Sequence, residues 1–545
     1  MSKRVPPAAD AASEAAARPY LAAVRTHADN LLRHGRDGYG ARQTPLFVDE
    51  LRLPDAQARP KAWRFNQRTD REVILVNLAQ QQQFFRVLDG LTTLTGDSQY
   101  RDAAASAIRH AFANLSDSSG LLRWGGHCAY DALADDWVGY MPGTHELKAV
   151  YPHYALMHQT DPAATERFIR AFWNAHVIDW SVLDFSRHGG FDKALGALWD
   201  HRYVGRGVWF TGRGLTFINT GSDLYYAAAV LSHLTGDERP LTWAKRLNHR
   251  YLQTRDPVTG MGGYQFTIRY LPGADQWCDR AIHQLSGMLS GHVVREGTVT
   301  TPRHIRTILV SAGISRMAMG ELLGAPGAEF TRSAVEDLAA YGRWAYRAEG
   351  NLFHPIHTDG TILTGKVFEK DGYYGPAGWA FRSRPADGQH FLAYAMGYRL
   401  SGDAFLWQVA CDLARGVGLG DIGAPGQPPP GDAATECADA HALLGLLQLH
   451  RATSAGAYLD QARRVADNIL AQRVNGGFFT AGPQGQVVRL DSDDPLALLH
   501  LAATLTGKAD ALPSLVPGPM GAVWPGPGGL VMPRAEWDAS PHQGS

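Results

Sequence analysis

The stretch Leu94-Thr95-Gly96-Asp97 decides how this chain is interpreted, because close copies of it recur along the sequence. The copies are Leu234-Thr235-Gly236-Asp237, Leu400-Ser401-Gly402-Asp403 and Leu505-Thr506-Gly507-Lys508. Each copy follows an apolar segment of helical period and precedes another. Glycine favours the left-handed conformation that ends a helix, and aspartate favours the position that caps the next one. The phrase therefore predicts short turns between antiparallel helices, and its recurrence predicts a stack of helix pairs.

Longer glycine-containing segments alternate with these short turns. They are residues 117–120 leading into 124–126, residues 256–260 leading into 262–264, and the looser copy 473–478. Short turns at one end and long loops at the other are typical of an (α/α) barrel with its cleft at the long-loop end. We predict this all-α fold. An open helical solenoid is the alternative, but the aromatic and glycine residues crowded into the long loops favour a closed toroid.

The sequence shows no clear domain boundary. We expect a flexible N-terminal segment over residues 1–18, one barrel domain over 19–516, and a C-terminal extension over 517–545 that packs on the outside of the barrel. Residues 185–222 contain many glycines and few helical periods. They therefore predict a long functional loop or arm beside the cleft.

Composition narrows the classes of partner. The formal net charge is -1, so no overall field attracts nucleic acid or an anionic membrane. No apolar run approaches the roughly 18 residues that a membrane span requires. The four cysteines are scattered and predict free thiols. The N-terminus has basic residues followed by proline and acidic residues instead of an apolar leader, which predicts a cytoplasmic protein. We expect a monomer.

Three short stretches place histidine and carboxylate side chains in loops. They are Trp124-Gly125-Gly126-His127, Thr144-His145-Glu146-Leu147-Lys148 and Phe185-Ser186-Arg187-His188-Gly189-Gly190. Two imidazoles and one carboxylate form a ligand set that suits Mn, Co, Ni or Zn better than Ca or Mg. Spacing alone is a weak signal, because no pair stands at i, i+4 and the chain has 22 histidines.

Residues 145–191 resemble polysaccharide lyase family two, the pectate lyases with an (α/α) toroid fold. The segment Asn174-Ala175-His176-Val177-Ile178-Asp179-Trp180 and the Ser186-Arg187-His188-Gly189 motif carry the resemblance most specifically. Residues 124–127 and the segment Lys370-Asp371-Gly372-Tyr373-Tyr374-Gly375-Pro376 fit the same family. The remaining chain matches more loosely. The fold implied is an (α/α)7 toroid.

The resemblance implies a metal-dependent lyase that cleaves pectate or oligogalacturonides by β-elimination. The implied ligands are His127, Glu146 and His188, with Mn as the expected ion and Co or Ni as alternatives, and the implied Brønsted base is Arg187. The reaction removes the C5 proton next to the uronate carboxylate and expels O4. A cation held against that carboxylate stabilises the enolate-like charge that develops.

An arginine base is chemically demanding, because the ordinary pKa of arginine lies above about 12. His145 and His176 are therefore alternative bases, although the aromatic surroundings of His176 favour a packed core histidine. Candidates for binding the substrate are Trp124, Tyr373 and Tyr374 by stacking, and Lys148 and Arg213 by charge.

The expected partner is an acidic oligo- or polysaccharide. A cytoplasmic enzyme would meet short imported chains, which favours exo action that releases unsaturated disaccharides. The alternatives are a lyase for alginate or glucuronan, an inverting glycoside hydrolase, which needs two facing carboxylates, and a non-catalytic solenoid that binds a partner.

Overall fold

The computed structural model describes residues 11–65, 68–126, 128–139, 144–146, 149–269, 284–285, 289, 294–371, 374–425, 427, 435–480, 485–518, 524–526 and 529–531. The main helices in these ranges are α1 (Ala11–His34), α2 (Gln82–Thr95), α3 (Gln99–Asn114), α4 (Tyr154–Thr160), α5 (Pro162–His176), α6 (Ile218–Thr235), α7 (Glu238–Leu252), α8 (Pro302–Arg306, continued by the π-helical Thr307–Ala312 and by Gly313–Leu323), α9 (Ala328–Trp344), α10 (Gly388–Ser401), α11 (Ala404–Gly416), α12 (Ala440–Thr453), α13 (Gly456–Arg473) and α14 (Asp494–Leu505).

These helices form a closed double ring. In the described part of the chain, seven antiparallel pairs are present: α2 with α3, α4 with α5, α6 with α7, α8 with α9, α10 with α11, α12 with α13, and α14 with α1. The first member of each pair belongs to the inner ring. Helix α14 also packs on α2, so the last pair closes onto the first. The predicted (α/α)7 toroid is confirmed, and the open solenoid is wrong.

Inner and outer helices differ in how their surfaces are covered. Every residue of α6 from Ile218 to Ser232 is buried, because other helices surround it on all sides. Helix α7 instead buries one face, through residues such as Trp243 and Leu247, and exposes the other. The inner ring and the buried faces of the outer helices form one continuous hydrophobic core.

The short turns have the conformation that the repeated phrase predicts. Gly96, Gly236 and Gly402 have φ values of 77°, 76° and 70°, in the left-handed region. The aspartate after each glycine accepts a hydrogen bond from the backbone N–H two residues further on. The fourth copy differs. Gly507 is also left-handed, but Lys508 follows it and cannot cap a helix, and a 3₁₀ turn over Ala509–Ala511 comes next.

Short strands occupy the long loops at the opposite end of the barrel. They are β1 (Glu50–Arg52), β2 (Lys61–Phe65), β3 (Arg68–Val73), β4 (Leu75–Val76), β5 (Cys128–Asp131), β6 (Asp136–Gly139), β7 (Thr144–Glu146), β8 (Val177–Asp179), β9 (Asp184–Phe185), β10 (His188–Gly190), β11 (Thr211–Gly212), β12 (Ile268–Arg269), β13 (Val299–Thr300), β14 (Tyr346–Arg347), β15 (Leu352–Phe353), β16 (Ile356–His357), β17 (Arg384–Pro385), β18 (Val474–Asn475), β19 (Phe478–Phe479), β20 (Val487–Arg489), β21 (Trp524–Gly526) and β22 (Gly529–Val531). The sheets have two or three strands, among them β4–β5–β6 and the antiparallel pair β7–β10.

The arm predicted over residues 185–222 is observed as mostly non-helical chain between α5 and α6. It ends slightly earlier than expected, because α6 begins at Ile218. Among the described residues, no helix is both long and apolar enough to cross a membrane. Cys128, Cys411 and Cys437 are free thiols, as expected, and Cys278 lies outside the described residues.

Helix α1 corrects the N-terminal boundary. It begins at Ala11, so residues 11–18, which were expected to be flexible, are helical. This segment is rich in alanine, which has the highest helix propensity. Ala17 and Tyr20 are buried against the barrel. The barrel domain therefore starts before residue 19.

Residues 512–518 enter the barrel. Of the extension predicted over residues 517–545, only 517–518, 524–526 and 529–531 are described, and its packing on the outside of the barrel stays a prediction. Leu512 packs beside Gly90 of α2. Leu515 and Val516 line a small cavity. Four inner helices, α8, α10, α12 and α14, contribute one leucine or isoleucine each to the same cavity: Ile314, Leu392, Leu444 and Leu496. Gly518 lies against Asp493, at the start of α14. Residues 512–518 thus run from the short-turn end to the long-loop end, because seven inner helices leave an axial space that apolar residues fill.

Candidate active site

Two of the implied metal ligands stand opposite each other on one antiparallel ladder. Glu146 of β7 pairs with His188 of β10, and His145 pairs with Gly189. Directly opposed residues place their side chains on the same face of a ladder. The Glu146 Oε1 atom lies 3.6 Å from His188 Nε2, and the Glu146 side chain is 1% exposed. A buried carboxylate therefore sits beside an imidazole at the long-loop end.

Arg187 joins this pair from the same strand segment. Its Nε lies 3.3 Å from Glu146 Oε1, and 27% of its side chain is exposed. Its guanidinium carbon lies 5.6 Å from the ring centroid of Phe217, the residue that precedes α6. The guanidinium is thus held between a carboxylate and an aromatic face, with part of its surface open to the cleft.

A row of stacked rings leads away from Arg187. The rings of Phe217 and Tyr264 are 5.8 Å apart and inclined by 7°, and those of Tyr264 and His304 are 3.7 Å apart and inclined by 15°. His304 lies in the first turn of α8. Tyr264 and His304 are buried, whereas Phe217 is partly exposed. This row forms a rigid floor between α6 and α8.

The histidines considered as alternative bases lie under the ladder. His145 Nδ1 is 2.8 Å from His176 Nε2, and His176 Nδ1 is 2.8 Å from the backbone oxygen of Ser186. The two side chains are 1% and 0% exposed. Burial lowers the pKa of His176 to about 4, so its ring is neutral at neutral pH. Neither ring reaches the cleft, and the expectation that His176 is a packed core histidine is met.

Two glycines allow the backbone to come this close. Gly125 has a φ of 99°, and a Cβ on it would lie 2.7 Å from the backbone oxygen of Glu146. A Cβ on Gly189 would lie 2.9 Å from the His176 ring. The Gly126 N–H donates to the backbone oxygen of Glu146 at 3.2 Å. Gly125 and Gly189, one from each motif, are therefore required by close packing around the ladder.

Buried polar side chains hold the loops around the ladder. Asn77 exchanges two hydrogen bonds with the backbone of Gly125, at 2.8 and 3.1 Å. Asp223 of α6 accepts the backbone N–H groups of Val150 and Tyr151, at 2.8 and 3.0 Å. Burial raises the pKa of Asp223 to about 7. These contacts fix the segments before and after β7 to the inner ring.

The donor set is chemically suited to a transition metal. Bonds from such an ion to nitrogen or oxygen are about 2.1 Å long, so two donors of one ion lie roughly 3–3.5 Å apart. The 3.6 Å between Glu146 Oε1 and His188 Nε2 is slightly longer than this spacing. In the part of the chain that the structure describes, no three histidine, cysteine, aspartate or glutamate side chains converge on one ion. His127, the third implied ligand, lies outside the described residues.

Comparison with known proteins identifies the family. The model of the periplasmic pectate lyase family matches residues 44–520. The chain belongs to the periplasmic pectate lyase family. It is a polysaccharide lyase, as the resemblance implied. A relative, the pectate disaccharide-lyase of Dickeya dadantii (strain 3937), is 30% identical over 519 residues, which cover 91% of this chain and 91% of the relative.

Solved structures match more distantly. A D-mannose isomerase matches with a TM-score of 0.43 at 13% identity, over 73% of this chain and 85% of that chain. The GH76A α-1,6-mannanase of Salegentibacter sp. HEL1_6 matches with a TM-score of 0.39 at 11% identity, over 89% of this chain and 99% of that chain. An unsaturated glucuronyl hydrolase specific for heparin matches with a TM-score of 0.38 at 11% identity, over 90% and 98% of the two chains.

Membership of the periplasmic pectate lyase family corrects the predicted location. The cytoplasmic prediction rested on the basic and proline-containing first residues, and it is wrong because the family is periplasmic. A leader is removed on export, so the first residues of a chain do not by themselves decide its compartment. A cytoplasmic location therefore no longer favours exo action.

Two predicted stacking residues of this pectate lyase family member are packing residues. Trp124 is 5% exposed and meets Phe168 of α5 edge-on, with ring centroids 5.2 Å apart. Tyr374 is 1% exposed, belongs to a second small hydrophobic cluster, and donates its hydroxyl to the backbone oxygen of Glu296 at 3.2 Å. Both rings are covered by protein, so neither presents a face to a sugar.

The remaining predicted residues divide into two groups. Lys148 and Tyr373 lie outside the described residues. Arg213 is exposed on the arm, and its backbone N–H donates to Asp184 Oδ2 at 3.0 Å, which anchors its position. Cys128 donates its thiol to the backbone oxygen of Trp124, and burial raises its pKa to about 12. Its thiol is therefore protonated and bonded to the protein backbone.

Sequence reasoning missed two aromatic residues. Phe217 lies under Arg187, and Trp379 is 42% exposed in the loop that also contains Tyr374. The Trp379 backbone is fixed, because its N–H donates to the Pro376 oxygen at 3.1 Å and its oxygen accepts from Phe368 at 2.7 Å. The signal for Trp379 was its position after Gly378 in a glycine-rich loop, which is the same signal that favoured the buried Tyr374.

Proposed function

We propose that this chain cleaves pectate-type uronate chains by β-elimination, with Arg187 as the Brønsted base and a divalent transition metal at His127, Glu146 and His188. One observation carries the proposal: Glu146, Arg187 and His188 converge on the β7–β10 ladder of a periplasmic pectate lyase family member. A bound metal would supply Lewis-acid neutralisation of the uronate carboxylate.

Arg187 is the proposed acceptor of the C5 proton. More than a quarter of its side chain is exposed, and the Phe217 ring below it limits its movement. A guanidinium accepts a proton only in its neutral form, which a nearby cation and removal from water both favour. Glu146 would hold the metal and lies beside Arg187, so the ion would supply positive charge near the proposed base.

We propose exo action that releases unsaturated disaccharides from acidic oligosaccharides. The support is the relative from Dickeya dadantii, which is a pectate disaccharide-lyase and matches this chain over 91% of its length. Mn is the ion that we propose, with Co and Ni as the alternatives, because a mixed nitrogen and oxygen donor set suits these ions.

The test is the rise in ultraviolet absorbance that accompanies a C4–C5 unsaturated uronate. The chain is incubated with trigalacturonate and with polygalacturonate, first with Mn²⁺ and then with a chelator. We expect a rise that the chelator abolishes and that Arg187→Ala removes. Arg332→Ala is the control, because it removes an exposed arginine from the outer helix α9. Chromatography of early products separates exo from endo action.

Each outcome has a defined meaning. Disaccharide as the sole early product supports exo action, and a ladder of product lengths contradicts it. No rise on either substrate, with metal present, contradicts pectate as the substrate, and alginate and glucuronan are then tested. Arg187→Ala with wild-type activity contradicts the assignment of the base.

A further inference from the structure

The site draws its residues from two different long loops. Glu146 comes from the loop between α3 and α4, and Arg187 and His188 come from the loop between α5 and α6. The ladder that joins them has three residue pairs. A two-stranded ladder of this length is marginally stable by itself. Something else must therefore fix the position of the carboxylate relative to the guanidinium.

The buried histidines make this connection. His145 directly precedes Glu146, and Ser186 directly precedes Arg187. His176, the last residue of α5, bonds to both: its Nε2 meets His145 Nδ1, and its Nδ1 meets the Ser186 oxygen, each at 2.8 Å. The Ser186 N–H also donates to the backbone oxygen of His176 at 3.0 Å. Hydrogen bonds thus fix both catalytic segments to the C-terminal end of one rigid helix.

The donor in each of these two hydrogen bonds can be identified from the Ser186 backbone oxygen, with which His176 Nδ1 interacts. A backbone oxygen can only accept, so His176 Nδ1 carries the proton of the ring. In a neutral ring Nε2 is then the acceptor, and His145 Nδ1 must donate to it. The His145 ring meets Phe172 and Phe191 edge-on, at 6.0 and 5.8 Å, which holds it in this orientation. The connection therefore depends on one specific donor, His145 Nδ1.

We propose that His145 and His176 are positioning residues that set Glu146 and Arg187 at their working separation. This inference rests on the proposed function, because it assigns the pair a purpose only if Glu146 binds metal and Arg187 acts on substrate. Neither imidazole touches substrate. Their contribution is geometric. It acts on the metal ligand and on the base through the preceding residues, because His145 directly precedes Glu146 and Ser186 directly precedes Arg187.

Two substitutions at His145 separate this role from ordinary core packing. In His145→Asn, the amide nitrogen occupies the place of Nδ1 and can still donate to His176. In His145→Gln, the amide lies one bond further out and that donor is lost. Simple packing predicts that glutamine, which is closer to histidine in volume, is the better replacement. Positioning predicts the reverse order.

The measurements are Mn²⁺ affinity by calorimetry, and kcat and KM on trigalacturonate. Residues that orient metal ligands typically cost about 10–100-fold in metal affinity or activity when they are changed. We expect losses of this size in Mn²⁺ affinity and kcat for His145→Gln, with KM little changed, and values within about threefold of wild type for His145→Asn. If His145→Gln does not fold, His176→Asn carries the same expectation, because it keeps the donor to Ser186 and removes the acceptor for His145.

The matched control is His27→Gln. His27 is also buried, and its Nδ1 accepts the backbone N–H of Phe479 at 3.2 Å, on a different side of the barrel. We expect this variant to lower the melting temperature without changing Mn²⁺ affinity or kcat.

The outcomes distinguish the two proposals. A folded His145→Gln variant with wild-type Mn²⁺ affinity and kcat overturns the positioning role. A wild-type chain that binds Mn²⁺ but cleaves no uronate polymer overturns the proposed function, and the Mn²⁺ affinities of the asparagine and glutamine variants still decide the positioning role. A wild-type chain that binds no divalent ion overturns both.

Discussion

Two clusters at the long-loop end contain the same three kinds of side chain. In one, Glu146 faces Arg187 and His188. In the other, Asp387 is ion-paired with Arg306 and lies 2.8 Å from His390 Nδ1. The difference is the element that carries the carboxylate. Asp387 is the N-cap of α10 and also accepts the backbone N–H groups of Gln389 and His390, whereas Glu146 extends from a strand whose backbone is paired in a ladder.

This difference indicates which cluster is structural. The side chain of Asp387 satisfies N–H groups that the first turn of any helix leaves without partners. A metal could take that carboxylate only by uncapping α10. The side chain of Glu146 has no helix end to serve, so metal binding there leaves the fold intact. Composition alone would have assigned the two clusters the same role.

The largest expected effects come from removing the arginine of each cluster. Arg187→Ala should reduce kcat about 10³-fold or more, in the range for a lost general base, while the melting temperature changes little because the side chain is partly exposed. Arg306→Ala should instead cost about 2 kcal/mol of stability, because the arginine is buried while water screens the Asp387 charge that remains, whose side chain is 41% exposed. Lyase assays and thermal melts on both variants check this. Loss of activity with unchanged stability in Arg306→Ala would show that the second cluster also belongs to the active site.

Replacing the carboxylate of each cluster should have effects no larger than these, on metal binding in the first cluster and on stability in the second. Glu146→Gln keeps the shape but removes the charge, so we expect Mn²⁺ affinity to fall at least about 10-fold. Asp387→Asn should leave Mn²⁺ affinity unchanged and lower the free energy of unfolding by about 2 kcal/mol, because asparagine still caps the helix but the buried Arg306 loses its ion pair. Calorimetry and urea unfolding measure the two quantities. A fall in Mn²⁺ affinity for Asp387→Asn contradicts the division between the clusters.

The parts of this arrangement that could be predicted from sequence are those fixed by local chemistry. Gly96 and Asp97 specify a turn through their own backbone and capping preferences, so the helix pairs and their closed ring were predictable. The pairing of Glu146 with His188 depends on two loops meeting in register. Spacing along the chain carries no information on that register, and the resemblance to a known family supplied it.

Burial explains what sequence reasoning missed. Trp124 and Tyr374 stand next to glycines, as exposed sugar-binding aromatics do, but a sequence does not say which way a loop turns its side chains. Both rings point into protein. The path of residues 512–518 through the barrel could not be predicted either. It depends on an axial space that exists only once seven helix pairs have closed.

Low pH should reduce the stability that the cluster around Asp387 provides. Burial by itself would raise the pKa of Asp387, but the charges of His390 and Arg306 outweigh it and hold the pKa well below its ordinary value. A carboxyl whose pKa is lower in the folded state stabilises the protein above its unfolded pKa of about 4 and loses that contribution as the pH falls below it. Wild type should therefore lose stability between about pH 4 and pH 2, and Asp387→Asn should lose less over the same range. Parallel pH profiles for the two proteins would contradict this.

The smallest expected effect concerns the loop that contains Trp379, which belongs to neither cluster. Trp379 is 42% exposed on a fixed backbone, and we expect its exposed surface to contact a sugar ring of the substrate outside the two sugars that react. Such a contact is worth about 1 kcal/mol. Trp379→Ala should therefore raise KM on polygalacturonate about fivefold and leave kcat and the melting temperature unchanged. Val367→Ala is the control, because Val367 is 52% exposed next to the same turn and offers no ring. Equal effects on trigalacturonate and polygalacturonate would place the indole at the reacting sugars, and no effect on either would leave the long-chain contacts to the arm and to Arg213.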